Sequence, residues 1–433
     1  MTGGKVAGYL CVLLALATTW VTGQTAAPMG EYRVYAGSTH AHTAFTWSHG
    51  EHLSTNGCAG ILTYSNESPG GGGVWSDGYV PTGKGCPALF VIDGAQVYAP
   101  GVTLKPDWST FQGPPSVHFA GAKAAGYDFY SATDHSQEAG FQVPAPENAR
   151  WLQTKQQAVA ASDGRFLGLA GFEYSENDGP GGTGHINVFN TQGMVNALVP
   201  GMDLPRLYGW LATASPDGAG PVVASFNHPV ADQYDNWAHR DPRVTDILTL
   251  LEVINSNDKI HDTGFMNALD HGWKVAPVAG NDNHGLGGIV RQTSRTFVLA
   301  TALTKAAVLD AMQHRRTYAS LEKNLQCRYT VNGLPMGSTL SRPASFRFDI
   351  MVSDPDTGDR QDVITKLDIV KDGGVIVETY SPVPGHAVRW TPTVDDATAR
   401  YFFVRVWTAG GGDAASADPT KPVAWLAPVW TGR

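Results

Sequence analysis

Polar side chains follow four short apolar segments of the chain, at or just beyond the point where each segment ends. Residues 129–132 precede Asp134, residues 167–170 precede Glu173, residues 222–226 precede His228, and residues 275–279 precede Asp282. If these segments are barrel strands, their carboxyl ends meet and the polar groups converge on one cavity. A core gains nothing from burying so many polar groups, because each is costly without a partner. The pattern therefore favours a functional site in an α/β fold.

Histidine adds to this pattern. Seven of the 14 histidines lie at the ends of apparent strands or in tight polar clusters: His40, His42, His49, His135, His185, His228 and His284. On a strand, His40 and His42 would point to the same face, so one metal ion could take both imidazoles. A lone buried histidine is more often a core residue than a ligand, so the prediction depends on the ordered set. Imidazole with carboxylate suits Zn²⁺, Mn²⁺ or Fe²⁺.

Helix and strand patterns alternate before about Ser320. Residues 116–125 predict a helix that stops at Gly126, and residues 127–132 predict the strand that follows. A helix through Asp270, a stop at Gly272 and a strand at residues 275–279 repeat the unit. This alternation predicts a parallel sheet or barrel.

After Ser320 the apolar pattern changes to period two. It is visible in residues 328–331, 346–350 and 401–407, and Asp372-Gly373-Gly374 marks a hairpin between two further strands. Residues 321–433 therefore predict a small antiparallel β-sandwich domain, to which we assign no chemistry because it has no cluster of histidines with carboxylates.

The charge balance excludes some classes of partner. The chain has 433 residues, enough for two domains, and 30 Lys+Arg against 39 Asp+Glu give a net charge of −9. A general binder of nucleic acid or of anionic membranes needs a positive field, so neither is expected. An anionic small molecule remains possible where metal ions supply the positive charge.

Residues 1–23 have the features of a secretory signal peptide. Lys5 gives a basic start, residues 6–20 form an apolar run, and small residues precede a cleavage point at Gln24. A membrane anchor is disfavoured because the run is short and no second span follows. We expect a secreted or periplasmic protein, in which Cys58 and Cys86 could form a disulfide while Cys327 is a small buried residue.

A Gly-rich insertion occupies about residues 53–115 and contains four consecutive glycines at positions 70–73. No strand leads into these glycines and no Lys-Ser or Lys-Thr follows them, so a phosphate-binding loop is excluded. A surface loop or lid is the better interpretation.

The ordered motifs resemble those of the polymerase and histidinol phosphatase (PHP) superfamily. The matching elements are His40-Ala41-His42, Thr133-Asp134-His135, Glu173, His185, His228 and Asp282-Asn283-His284. Residues 35–43, 184–188, 277–285, 316–319 and 424–430 are similar to the carbaryl-hydrolase-type branch of metallohydrolases. The resemblance covers nearly all of the chain after the signal peptide. It implies a distorted (β/α)7 barrel over residues 24–320, followed by the small β domain.

The resemblance also implies two or three divalent transition metal ions, Zn, Mn or Fe. One ion would be held by His40, His42, Glu173 and Asp282. Glu173 would bridge to a second ion at His185 and His228, and a third ion would take His135 and His284. The third ion needs a further ligand, for which His49 is preferred over Glu51 and His52. Ser48-His49-Gly50 matches the family element one residue further along than is usual.

These ligands imply a hydrolase in which a metal-bridging water is acidified to hydroxide. We expect a phosphoesterase for a small, anionic phosphate mono- or diester, with Glu173, Asp282 and Asp134 in the catalytic set. Asp134 could instead only orient a ligand. Arg291 is a candidate contact for the anionic substrate, whereas Arg295 is expected to be structural. The loop 232–240 could line the pocket or be solvated.

Two other functions remain open. The first is hydrolysis of a carboxylic ester, carbamate or amide on the same fold. The second is a non-catalytic binding module, which the persistence of all the ligands disfavours.

Overall fold

The computed structural model describes residues 1, 31–43, 45–46, 90–92, 95–97, 113–136, 148–175, 183–197, 201–230, 232–341, 343–414 and 417–432. The predicted signal peptide beyond Met1, His49, and the Cys58 and Cys86 pair lie outside these residues. No helix among the described residues is long and apolar enough to span a bilayer.

The strands are β1 (Arg33–Ser38), β2 (Phe90–Ile92), β3 (Ala95–Val97), β4 (Phe129–His135), β5 (Leu167–Tyr174), β6 (His185–Phe189), β7 (Val223–Asn227), β8 (Leu248–Asn255), β9 (Lys259–Ile260), β10 (Ala276–Ala279), β11 (Arg295–Ala300), β12 (Thr317–Ser320), β13 (Gln326–Val331), β14 (Leu334–Pro335), β15 (Thr339–Leu340), β16 (Phe346–Ser353), β17 (Ile364–Lys371), β18 (Val375–Tyr380), β19 (Ala387–Trp390), β20 (Thr393–Val394), β21 (Tyr401–Thr408), β22 (Ala424–Leu426) and β23 (Val429–Thr431). The helices are α1 (Pro115–Ala124), α2 (Ala149–Ala161), α3 (Leu204–Leu211), α4 (Gln233–Asn236), α5 (Asp262–Asp270), α6 (Leu286–Arg291) and α7 (Lys305–Gln313).

The ends of the helices follow from the local sequence. Proline opens α1, where its missing N–H costs nothing, and Gly126 follows the helix with a φ of 81°, a left-handed conformation that glycine adopts without strain. Asn148 caps α2 by accepting a hydrogen bond from Trp151 N at 2.9 Å. Gly272, with a φ of 87°, follows α5 in the same way. Both helix–glycine–strand units predicted from the sequence are therefore present.

The main sheet is mixed rather than wholly parallel. Its strands run in the order β10-β8-β7-β6-β5-β4-β1-β11-β12. The pairs β1/β4, β4/β5, β7/β8 and β8/β10 are parallel, whereas β6 is antiparallel to β5 and β7, and β11 is antiparallel to β1 and β12. Only ten residues, 175–184, separate β5 from β6. That connection is too short for the crossover that a parallel pair requires.

The sheet curls so that β10, at one end of the strand order, lies against β11 and β12. Thr296 on β11 donates its hydroxyl to Ala279 O at 2.8 Å and accepts from Ala279 N at 2.7 Å. Thr317 on β12 donates to Pro277 O at 3.1 Å. Threonine hydroxyls thus satisfy backbone groups of β10 that have no strand partner on this side. The result is a curled half-barrel, and the count of seven βα units stays a prediction.

The last quarter of the chain forms two packed sheets, as the period-two pattern predicts. β13, β14, β16, β19 and β20 form one sheet, while β21, β17 and β18 extend the main sheet. Phe346, Phe348, Ile350 and Val352 point inward from alternate positions of β16. Phe402 of β21 contacts Phe346 across the interior, with ring centroids 4.7 Å apart. Cys327 is fully buried in the same interior.

The two parts of the chain share one continuous sheet. β22, near the C-terminus, pairs with β12 on one side and with β21 on the other. The boundary predicted at Ser320 therefore falls at the end of a strand that is bonded to the C-terminal part.

Candidate metal centre

The predicted ligands collect at one edge of the curled sheet. His135 ends β4, Glu173 is next to last in β5, and His228 directly follows β7. His40 and His42 lie in a loop beyond the end of β1. The expectation that they are strand residues is therefore wrong. Two backbone hydrogen bonds of 3.0 Å, from Asp282 N to His40 O and from His42 N to Asn283 O, join their loop to the loop after β10.

His185 reaches this edge from the opposite chain direction. It is the first residue of β6, which runs antiparallel to β5, so the start of β6 lies beside the end of β5. On its other side His185 pairs with Asn227, the last residue of β7. The reversal of β6 is therefore what brings His185 to the site.

Glu173 lies at the centre of the site and is fully buried. Five imidazole nitrogens lie within 3.5 Å of its carboxylate: His185 Nδ1 (3.1 Å), His40 Nε2 (3.3 Å) and His228 Nε2 (3.5 Å) at Oε1, and His135 Nε2 (3.1 Å) and His42 Nε2 (3.5 Å) at Oε2. Asn227 Nδ2 donates to Oε1 at 2.9 Å, and Ser175 Oγ donates to Oε2 at 3.0 Å. The two oxygens of one carboxylate thus face two different groups of imidazoles.

His40 and His42 point their ring nitrogens at each other. Their Nε2 atoms are 3.0 Å apart, and both side chains are fully buried. Asp282 Oδ1 lies 2.9 Å from His42 Nε2 and 3.5 Å from His40 Nε2. At most one proton can be shared between two facing ring nitrogens, whereas a cation can accept both lone pairs together with the carboxylates. The donor set and its convergence therefore fit divalent transition metal ions.

Among the described residues, several sets of three histidines or carboxylates at this site bring one possible ligand atom each within 4.8 Å of the others. They include His40, His42 and Glu173; Glu173, His185 and His228; His40, His228 and Asp282; and His42, His135 and His284. The first two sets fall within the groups expected for two ions that share Glu173, whereas the third combines ligands expected for both ions. The last set adds His42 to the pair expected for a third ion, and the His42 and His284 rings stack with centroids 4.2 Å apart.

Glu252 is a member of the site that the sequence analysis missed. Its Oε1 lies 2.8 Å from His40 Nδ1, while its Oε2 accepts from His228 N at 3.0 Å and from Asn255 Nδ2 at 2.8 Å. A Cβ at Gly280 would overlap this carboxylate, so glycine at this position lets the backbone after β10 approach Glu252 closely. A carboxylate on the far nitrogen of a ligating histidine orients the ring. The sequence signal for this role was a single glutamate inside the otherwise apolar segment that forms β8.

Asp134 supports the loop that carries the first two histidines. Its carboxylate accepts from Thr43 N at 2.7 Å, from Thr43 Oγ1 at 2.8 Å and from Thr46 N at 3.0 Å. These contacts favour the orienting role of Asp134 over a direct catalytic one.

Two residues of the site have strained backbones. His228 has a φ of 30° and Asp282 a φ of 46°. Residues other than glycine rarely adopt a positive φ. Such conformations persist where the surrounding structure over-determines them, and they collect at functional sites.

The environment of the site shifts the pKa values of its carboxylates and of one of its imidazoles. Burial disfavours both carboxylates, but the surrounding imidazoles outweigh burial and hold the pKa values of Glu173 and Asp282 well below their usual range. Burial and the neighbouring His135 lower the pKa of His42 to about 4. His42 is therefore neutral near pH 7, as a metal ligand must be.

No protein-family sequence model matches the chain, and no curated protein matches it. Among solved structures, the chain is similar to a two-domain protein from Bacteroides vulgatus that contains a predicted PHP-like metal-dependent phosphoesterase. The identity is 15%, the TM-score is 0.43, and the alignment covers 93% of this chain and 97% of the other. A similarity of this size assigns no family, so the functional argument depends on the site itself.

A cavity of about 360 Å³ opens beside the site among the described residues. Asp282, His284 and Arg291 line it, together with Asp258 and Ala414. This volume suits a small molecule. Ala414 belongs to the loop after β21, so the C-terminal part contributes one residue to the lining of the cavity.

Arg295 and Tyr234, in the loop 232–240, both stabilise the backbone near the site. The Arg295 guanidinium donates to the carbonyl oxygens of Gln292, Thr293 and Ser294 and lies 3.6 Å from the centre of the Tyr127 ring. In the loop, Tyr234 Oη lies 2.8 Å from His185 O and 2.7 Å from Asn227 O. Tyr234 therefore ties β6 to β7 beneath the site instead of lining the cavity.

Proposed function

We propose that the protein is a divalent-metal-dependent hydrolase and that it acts on small phosphate mono- or diesters. The observation that carries the proposal is the buried Glu173 carboxylate, with five imidazole nitrogens within 3.5 Å of its oxygens. A carboxylate shared by two ions needs ligands of both ions beside it. The ordered motifs that resemble the PHP superfamily, and within it the carbaryl-hydrolase-type branch, support the choice of a hydrolase.

The proposed ligands of one ion are His40, His42, Glu173 and Asp282, and those of a second are Glu173, His185 and His228. Divalent ions held there would acidify a water molecule and polarise an oxygen of the substrate. Glu252 holds His40 Nδ1 and so directs Nε2 toward Glu173. The complete burial of the His40 and His42 rings excludes bulk water from their donor nitrogens, whereas His228 is partly exposed. Arg291, on the wall of the cavity, is the proposed contact for substrate charge.

For a third ion we propose His135 and His284, with His49 as a further ligand from outside the described residues. His49→Ala should then lose about one equivalent of metal and much of the turnover, since two imidazoles rarely complete a coordination shell. Metal analysis beside a rate measurement checks this, with His271→Ala, at an exposed position after α5, as the matched control. An unchanged stoichiometry and rate would remove His49 from the site, and a parent with two ions would remove the third ion.

We also propose export, because residues 1–23 have the pattern of a signal peptide. Mass spectrometry of the protein from a secreting host should find a mature chain that begins at Gln24. An uncleaved chain retained in the cell would contradict export.

Hydrolysis of an uncharged ester, carbamate or amide is the second candidate, and the cavity favours it in one respect. Asp258 and the neutral amides of Asn257 and Asn283 lie on its wall beside Arg291, so the described wall is not strongly basic. A phosphate dianion would depend on the ions for most of its attraction.

A substrate panel decides between these functions. The purified protein is assayed with Mn²⁺ or Zn²⁺ on p-nitrophenyl phosphate, bis-p-nitrophenyl phosphate and p-nitrophenyl acetate, and its metal content is measured in parallel. We expect turnover of a phosphate ester that is lost on metal removal and restored by metal. Turnover of the acetate alone would support the second candidate. No turnover, with no tightly bound metal, would support a binding module.

A further inference from the structure

A second group of carboxylates lies away from the histidines, where three loops meet. Glu322 follows β12, Asp354 and Asp362 lie in the connection between β16 and β17, and Asp413 follows β21. We call these four residues the acidic cluster. The loops are far apart in the sequence, so only the tertiary structure assembles the cluster.

The carboxylates of the acidic cluster are close together and shielded from water. One oxygen each of Glu322, Asp362 and Asp413 lies within 4.8 Å of the other two. Glu322 is 1% exposed and Asp362 is 6% exposed. Among the described residues, the ion pair recorded for the cluster is a long one of 3.8 Å between Asp413 and Lys323, whose side chain is 54% exposed. Like charges this close in a buried place repel strongly unless a bound cation or a shared proton neutralises them.

Asp354 gives an independent sign of a missing partner. It is 3% exposed, and its Oδ1 accepts from Asp356 N at 2.8 Å. Its Oδ2 is buried and has no hydrogen-bond partner among the described residues. The charge of Asp354 acts on Glu322 and on Asp362, so its carboxylate lies near both of them.

The donor atoms select the kind of cation. The cluster offers carboxylate oxygens and neither imidazole nor thiolate, a set that suits a hard ion and not Zn²⁺. The connection between β16 and β17 reads Asp354-Pro355-Asp356-Thr357-Gly358-Asp359, with closely spaced acidic residues and a glycine for the turn. Ca²⁺ accepts six to eight oxygens in flexible geometry, whereas Mg²⁺ demands a near-ideal octahedron and keeps most of its waters.

We propose that Glu322, Asp354, Asp362 and Asp413 bind one Ca²⁺ ion that fastens the three loops together. The ion adds to the function proposed above and does not depend on it, since the acidic cluster shares no residue with the histidine site.

The position of the acidic cluster gives the ion a second consequence. Asp413 precedes Ala414, which lines the cavity beside Asp282 and His284. Asp413 N donates to Leu321 O at 3.2 Å, and the Thr293 hydroxyl lies 3.4 Å from that same oxygen and 3.3 Å from Asp258 on the cavity wall. Ca²⁺ therefore orders one wall of the cavity as well as the junction of the two parts of the chain.

The test is a Ca²⁺ titration of the full-length protein, saturated with Mn²⁺ and dialysed into calcium-free buffer. Isothermal titration should find one Ca²⁺ per chain, and the thermal midpoint should rise by about 2–3 °C at about 10 mM Ca²⁺. For an exported protein the dissociation constant is expected at roughly 10⁻⁴–10⁻³ M. Mg²⁺ at the same concentration should give a smaller rise.

Three variants separate the acidic cluster from other sites. Glu322→Gln should lose the response to Ca²⁺, because an amide cannot offer the ion the negative charge of a carboxylate. Glu378→Gln makes the same chemical change on the exposed face of β18 and should keep the parent response. Glu173→Gln, which disrupts the histidine site, should also keep it.

An unchanged midpoint in the parent up to about 10 mM Ca²⁺, beyond the weakest sites of this kind, would overturn the proposal. So would an equal response in Glu322→Gln, or loss of the response in Glu173→Gln. If Glu322→Gln does not fold, Asp362→Asn and the stoichiometry of the parent give the same decision. Failure of the substrate panel leaves this result unaffected, because neither Ca²⁺ binding nor the midpoint requires turnover.

Discussion

At the scale of single residues, Glu173 holds the site together. Five imidazoles surround its carboxylate, and the residue is fully buried among them. An amide in the same place cannot supply two anionic oxygens to two ions. Its loss therefore affects both halves of the site, whereas the loss of one histidine affects one half.

Glu173→Gln should lower metal content and activity together. The loss of activity should exceed the ~100-fold that removal of an orienting partner costs. Metal analysis and the initial rate on the best substrate check this. Glu378→Gln on an exposed strand position is the matched control. Full activity with unchanged metal in Glu173→Gln would remove the assignment of two bridged ions.

Glu252 acts on the ions through His40. In Glu252→Gln the amide nitrogen cannot accept a hydrogen bond, so either the His40 contact or the contacts from His228 N and Asn255 are lost. We expect metal affinity to fall about 10–100-fold while the fold is kept. Activity measured against metal concentration should recover at high metal. A variant whose activity stays low at saturating metal would show a role other than positioning.

At the scale of elements, the sheet brings the ligands together by loop and strand-end geometry. β6 shows this most clearly, because its reversal puts an amino-terminal residue, His185, among residues from carboxyl-terminal ends. The left-handed turn at Tyr234–Trp237 places the Tyr234 hydroxyl beneath the same two strand ends. An element of unusual conformation thus serves the site without lining it.

The end of α7 carries an ion pair with a defined pH dependence. His314 follows the helix, and its Nδ1 lies 3.1 Å from Asp310 Oδ1. The His314 hydrogen bond, with help from Arg316, lowers the pKa of Asp310 to about 2, and Asp310 in turn raises the pKa of His314. The part due to His314 is fully present below its ordinary pKa of 6.5 and is lost as pH rises through the raised value. The part due to Asp310 is present above pH 3.8 and is lost as pH falls through about 2.

His314→Gln should therefore lower the free energy of unfolding by about 0.5 kcal/mol near pH 5, because both side chains are nearly half exposed and water screens them. The difference from the parent should shrink as pH rises from 6.5 through the raised pKa of His314. Urea unfolding of the variant and the parent, at about pH 5 and again at a pH above the raised pKa of His314, measures this difference. His271→Gln at the end of α5, where the ring contacts a backbone oxygen and no carboxylate, should show a smaller pH dependence. Equal losses at both pH values would contradict the ion-pair account.

At the scale of the whole molecule, the C-terminal part completes the sheet of the first part. β22 covers the edge of β12, and its Trp425 is fully buried. Arg400 and Tyr401 both bond the Asp270 carboxylate at the end of α5, at 2.8 and 3.0 Å. The two parts therefore share one sheet, and we expect them to fold as one unit, even though the sequence pattern divides them.

A chain that ends at Ser320 should consequently be insoluble or unfolded. It would expose the β12 edge and the apolar surface under Trp425, and exposed edges of this kind aggregate. Circular dichroism and size-exclusion chromatography of the shortened chain check this, with the full-length chain as reference. A soluble, cooperatively folded product would show that the two parts are independent.

The sequence by itself determined the order of the candidate ligands and the change from alternating helices and strands to period-two strands. Both signals are local. A histidine or carboxylate at the end of an apolar segment is visible in a few residues, and so is a helix stop such as Gly126. The structure brings together eight of the nine predicted metal ligands, and the ninth, His49, lies outside the described residues.

Only the tertiary structure decided the direction of β6, the role of Glu252, the continuity of the sheet through β22 and the acidic cluster. Each depends on groups far apart in the chain, such as His40 with Glu252, or Glu322 with Asp413. Glu322 and Asp413 are each ordinary surface residues by sequence, because an isolated carboxylate in a loop is normally solvated. They become a candidate ion site only when folding buries them against each other, since charge and distance together determine the energy.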